Sequence, residues 1–102
     1  MDEIWDGIEA LTSRTLYTVP EREAFQVVSV NRSRGPAIKI RTNTEEPGGG
    51  EPRVIARSEI ERTYNIRLKV EDLTPSIIQI SGASVKNAEY IAAIFAAIEA
   101  RD

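Results

Sequence analysis

Neither cysteine nor histidine occurs in the chain. Their absence excludes disulfides, thiolate nucleophiles, Cys/His zinc sites, histidine general bases and imidazole pH switches. Aromatics are sparse, and none falls among the basic residues of 31–41, so a platform for stacking single-stranded bases is not expected there. No apolar run approaches the roughly 20 residues that a membrane span needs. The N-terminus opens on Asp2 and Glu3 rather than on a basic region followed by an apolar run, so no signal peptide is read. The expected setting is cytoplasmic, away from membranes, and the missing cysteine suits a reducing compartment.

What is present is ordinary globular composition: 102 residues, 41% hydrophobic and 28% charged. That is enough for one core without staples, and residues 1–102 read as a single domain. The net charge of −3 conceals a segregation. Asp2, Glu3, Asp6 and Glu9 stand without a base in residues 1–13, a local −4. Arg32, Arg34, Lys39 and Arg41 stand without an acid in residues 24–44, a local +4. An acidic whole argues against indiscriminate nucleic-acid binding, while local patches can still act.

Ile4, Trp5, Ile8 and Leu11 form one apolar stripe, which predicts a helix over 2–11, weakened by Gly7. Strands are predicted at Thr15–Val19 (stopped by Pro20), Ala24–Val30, Ala37–Thr42 and Arg53–Arg57. Asn31–Gly35 has hairpin chemistry and predicts antiparallel pairing of its flanking strands. Residues 43–52 hold Glu45, Glu46, Pro47 and three consecutive glycines, the composition of a flexible loop. The glycines lack the Lys-Ser/Thr of a phosphate loop. Ser58-Glu59-Ile60-Glu61 reads as a capping box opening a helix that runs to Leu68 and buries Ile60, Tyr64 and Leu68. Thr74-Pro75 opens another helix, ending near Ser81-Gly82, and a last one starts between Ser84 and Asn87. The order predicts an α+β fold: a three- or four-stranded antiparallel meander with an N-terminal helix and two or three C-terminal helices, the helices covering one face.

No catalytic centre is expected. The carboxylate pairs Glu45/Glu46, Glu59/Glu61 and Glu71/Asp72 lack the lysine spacing of a metal-dependent nuclease, and no residue is assigned to a metal or cofactor. Two surfaces remain as candidates. The first binds nucleic acid: Arg32, Arg34, Lys39 and Arg41 on a basic hairpin would meet phosphates. The Thr74–Ile91 segment also has helix-turn-helix periodicity, with Gly82 at the turn and Ser84, Lys86 and Asn87 opening a recognition helix. Against this stand a plain helical hairpin and a solvated sheet face, which the same residues serve equally well. The second surface is the last helix, apolar nearly all round, with Ala92, Ala93, Ala96 and Ala100 on one side. Such a helix is either central in the fold or shared with a second subunit.

The apolar spacing from Thr15 through Val30, Ile55–Glu61, Leu73–Ser76 and Asn87–Ile94 resembles small uncharacterised bacterial modules of a strand meander followed by helices, some found beside restriction-type nucleases. The resemblance covers roughly residues 15–96 and defines no functional residue; it implies an accessory or DNA-associated role. The leading expectation is a non-catalytic interaction module that self-associates, a dimer, with a further protein partner open. The alternative is a DNA-associated accessory domain.

Overall fold

In β3 (Ile38–Thr42), Ile38, Ile40 and Thr42 are buried while Lys39 and Arg41 are exposed. This period of two fixes one face of the sheet inward. The computed structural model describes residues 2–19, 21–33, 35, 37–48 and 50–100. It shows an α+β fold: helix α1 (Asp2–Ala10), strands β1 (Thr15–Tyr17), β2 (Ala24–Val30), β3 and β4 (Pro52–Ile55), then helices α2 (Arg57–Arg67), α3 (Pro75–Ile80) and α4 (Ala88–Ala100). The four strands form an antiparallel sheet in the order β1-β2-β3-β4.

Register follows the apolar rows. Val30, Ile38 and Ile55 align, as do Phe25 and Thr42. A register shift between Val27 and Ser29 leaves Val28 outside, 42% exposed. The backbone N–H of Ser13 donates to the Val27 carbonyl at 2.9 Å, with Ser13 at φ 70°, so the α1–β1 link is stitched to the central strand.

Helix α4 lies on the inner face and packs against β1, α1 and α3. Ile91 and Ile94 are completely buried and Phe95 nearly so. Tyr90 meets the Phe25 ring edge-on at 5.1 Å, the geometry that aromatic quadrupoles favour. Fully burying each such side chain contributes about 1.5–3 kcal/mol, which is what holds an otherwise marginal 13-residue helix. Helix α1 crosses α4 at Gly7, where a Cβ would stand 2.9 Å from Ile98 Cγ2. The glycine that weakens α1 as an isolated helix is what allows it to dock.

Several sequence expectations shift. The first strand ends at Tyr17 because Thr18 turns the chain: its Oγ1 accepts from the Glu23 N–H at 3.0 Å, and its carbonyl accepts from the Arg22 N–H at 2.8 Å. Pro20, expected to stop that strand, lies outside the described residues, as does Arg34. The fourth strand ends at Ile55 because Arg57 already belongs to α2. The expected capping box is displaced by two residues. Ala56 is the cap residue, and Glu59, not Glu61, reaches back to accept from the Ala56 N–H at 2.7 Å. Ala56 has no side-chain acceptor, so only half of a box is made. Leu68, expected in the core, is 68% exposed, and Thr63 is buried instead; its hydroxyl donates to the Glu59 carbonyl at 2.7 Å. Helix α3 opens as expected, with Thr74 Oγ1 accepting from the Ile77 N–H, and closes at Gly82, whose φ of +81° suits glycine.

Candidate functional site

Among the described residues, Arg32 does not join Lys39 and Arg41 in one basic patch. Arg32 turns away from the open sheet and pairs with Asp6 and with Glu9, the latter at 3.0 Å, both on α1. The acidic and basic runs of the sequence therefore partly neutralise each other. Arg57 closes the same corner: its guanidinium donates to the Asn31 carbonyl at 3.1 Å and to the Arg32 carbonyl, and sits over the Trp5 ring. Lys39 and Arg41 remain on the outer face of the sheet, and Arg41 donates to the Gly50 carbonyl at 3.2 Å. Arg53 lies over the Tyr90 ring and donates to the Lys86 carbonyl at 3.0 Å.

The residues expected to open a recognition helix are placed mostly inside. Ser84 and Asn87 are buried. Ser84 Oγ donates to Glu59 Oε1 at 2.6 Å and accepts from the Asn87 N–H at 3.1 Å. Asn87 Nδ2 donates to the Val54 carbonyl at 3.2 Å and to the Glu59 carboxylate. Of the three, Lys86 alone is exposed, and the first turn of α4 presents Ala88, Tyr90 and Ile91 to the core. These polar groups staple β4, α2 and α4 together.

The alanines behave differently. Glu89, Ala92, Ala93 and Ala96 follow one another at i, i+3, i+4 and i+7, a single stripe on α4. Ala92 and Ala93 are each 8% exposed and Ala96 is open to solvent. Together they floor a groove of about 250 Å³, walled by Leu73, Thr74 and Pro75 at the start of α3 and by Val19 on the β1–β2 turn. Val19 is 58% exposed. Ala100 is exposed beyond the groove and does not line it. The walls were not read from sequence: Val19 was expected in a strand but lies in the turn after β1, and Thr74-Pro75 was read as a helix start, which it is.

The groove has an acidic margin. The β1–β2 turn that supplies Val19 also carries Glu21 and Glu23, both exposed. Burial pushes the Glu89 carboxyl up from the ordinary carboxylate range, repulsion from Glu21 and Glu23 pushes it further, and Arg53 opposes them. Glu71 and Asp72, also exposed, immediately precede Leu73. A second, wider hollow of about 530 Å³ lies between α1 and α4, lined by Glu3, Asp6, Gly7, Ile98 and Glu99 among others. Its Asp6 and Glu99 are spent on ion pairs with Arg32 and Arg67.

Among the described residues no cluster of acids could hold a metal ion, and no helix is long and apolar enough to cross a membrane. No family model, curated protein or solved structure matches the chain.

Proposed function

We propose that the protein is a non-catalytic interaction module that receives an apolar anchor of a protein partner in the groove between α4, α3 and the β1–β2 turn. The observation that carries this reading is the concavity itself. Three alanines in succession keep the outer stripe of α4 low, while Leu73, Pro75 and Val19 stand up around it. A cavity of about 150 Å³ accommodates benzene, so this groove takes one or two large apolar side chains. Two concave grooves brought together by a two-fold axis would leave their floors apart, so an inserted side chain fits better than a face-to-face dimer. The test is an NMR titration of the protein with a short peptide carrying a central Phe. Shifts concentrated at Val19, Leu73, Ala92, Ala93 and Ala96 support the reading, and their absence at millimolar peptide overturns it.

The DNA-associated alternative draws support from one feature, the placement of Lys39 and Arg41 side by side on the outer sheet face. Two phosphate contacts would make affinity fall by only about 1.8 log units per log unit of salt. Absence of binding to generic duplex at low salt would reject it.

A further inference from the structure

Resting on the groove reading, we infer that the partner segment is cationic: a large apolar side chain flanked by Lys or Arg, supplied by another protein rather than by a second copy of this chain.

The floor and the margin select for different things. Ala92, Ala93 and Ala96 offer only methyl groups, and Val19, Leu73 and Pro75 add apolar walls, so the occupant's centre must be apolar. The acids then decide what can flank it. Glu89 lies on the stripe that runs into the groove, one turn before Ala92 and Ala93, close enough to Glu21 and Glu23 to be repelled by them. Glu71 and Asp72, both exposed, immediately precede the wall residue Leu73 in the chain. Of the nearby bases, Arg67 is paired with Glu99. Arg53, over Tyr90 and donating to the Lys86 carbonyl, and Arg22, over the Tyr17 ring at 5.4 Å, keep their charge. Arg53 only partly offsets the repulsion at Glu89, and Lys86 is exposed. Lys69 is exposed and separated from Leu73 by Val70, Glu71 and Asp72. An incoming Lys or Arg relieves repulsion that exists before binding, whereas an incoming carboxylate adds to it.

A second copy is the competing occupant. The chain does expose apolar–basic pairs, Leu68-Lys69 and Val85-Lys86, with Leu68 68% and Val85 71% exposed. Inserting either into a neighbour's groove, reciprocally about a two-fold axis or head-to-tail, would juxtapose copies of net charge −3. Charge complementarity therefore favours a foreign, basic segment.

The experiment uses the full chain and three peptides that share a central Phe and differ only in flanking Lys, Ser or Glu, titrated by NMR at low and high salt. The Lys peptide is expected to bind about tenfold more tightly than the Ser peptide at low salt, since several exposed charge pairs each add a fraction of that factor. This advantage should collapse at high salt, and the Glu peptide should bind weakest. In the double variant Glu21→Gln/Glu89→Gln, which keeps side-chain shape, the Lys and Ser peptides should approach each other. Equal affinities of the Lys and Ser peptides for the wild type would overturn the cationic partner and leave the groove reading standing. No binding by any peptide would overturn both. Concentration-dependent shifts at the groove residues without peptide, with growth in mass on sedimentation, would assign the site to a second copy and overturn the foreign partner.

Discussion

The hydroxyl of Ser84 donates to Glu59 Oε1 at 2.6 Å across 25 residues of sequence. The same carboxylate accepts from the Ala56 N–H and from Asn87 Nδ2. One side chain thus starts α2 and ties it to the turn before α4. A residue read from sequence as the interior of a capping box is the joint of three elements, and two residues read as base-contacting are its ligands.

Glu59→Ala should therefore destabilise by about 1–3 kcal/mol, because donors on half-buried Ala56 and on buried Ser84 and Asn87 lose their acceptor. Glu61→Ala should stay within about 0.5 kcal/mol, as expected for an exposed position. Urea denaturation of both variants decides. Comparable losses would return the cap to Glu61.

Gly7→Ala pits two effects against each other. Helix propensity favours the alanine by about 1 kcal/mol. The new Cβ would stand 2.9 Å from Ile98 Cγ2 and 3.0 Å from Cγ1, atoms near the Ile98 backbone that cannot simply swing aside. Overpacking of this kind costs about 1–3 kcal/mol, so a net loss is expected. A rise in melting temperature would show that α1 is free to slide on α4.

Glu89 sits in the first turn of α4, where the helix dipole favours its charge. Burial and the repulsion from Glu21 and Glu23 outweigh that, and its carboxyl is raised despite Arg53. A carboxyl raised in the folded state binds protons more readily than in the unfolded chain, so stability falls as pH rises through its titration. Glu89→Gln should thus stabilise at neutral pH by only about a few tenths of a kcal/mol, since the group is largely solvated. The gain should disappear below the ordinary carboxylate range. Denaturant midpoints at neutral and acidic pH check it, and a gain that persisted in acid would mean packing rather than charge.

Ile91 and Ala96 separate the two sides of α4. Ile91 is completely buried, so Ile91→Ala should cost about 2–5 kcal/mol. Ala96→Glu should leave stability within about 0.5 kcal/mol, as for an exposed site, while abolishing peptide binding by placing a charge in the groove. If Ala96→Glu unfolds the protein, the outer stripe is core and the groove is closed in solution.

Local chemistry was enough to read the β2 boundaries at Ala24 and Val30, the inward isoleucines of β3, the Thr74-Pro75 start of α3 and the Gly82 stop. Each depends on a period of two, a fixed φ, or a hydroxyl within three residues of the amide it caps. The same reasoning marked Ala92, Ala93 and Ala96 as a stripe of one helix, because helical spacing alone puts them on one side. What tertiary structure decided is what faces that stripe. Val19 and Leu73 come to α4 from distant parts of the chain, and only the docking of α3 and the β1–β2 turn makes a groove of them. Tertiary structure likewise took Arg32 from the basic run and gave it to Asp6 and Glu9, and took Ser84 and Asn87 inward to Glu59. Charge and hydrogen-bonding capacity are properties of a residue, but which partner uses them depends on distances that no local periodicity encodes.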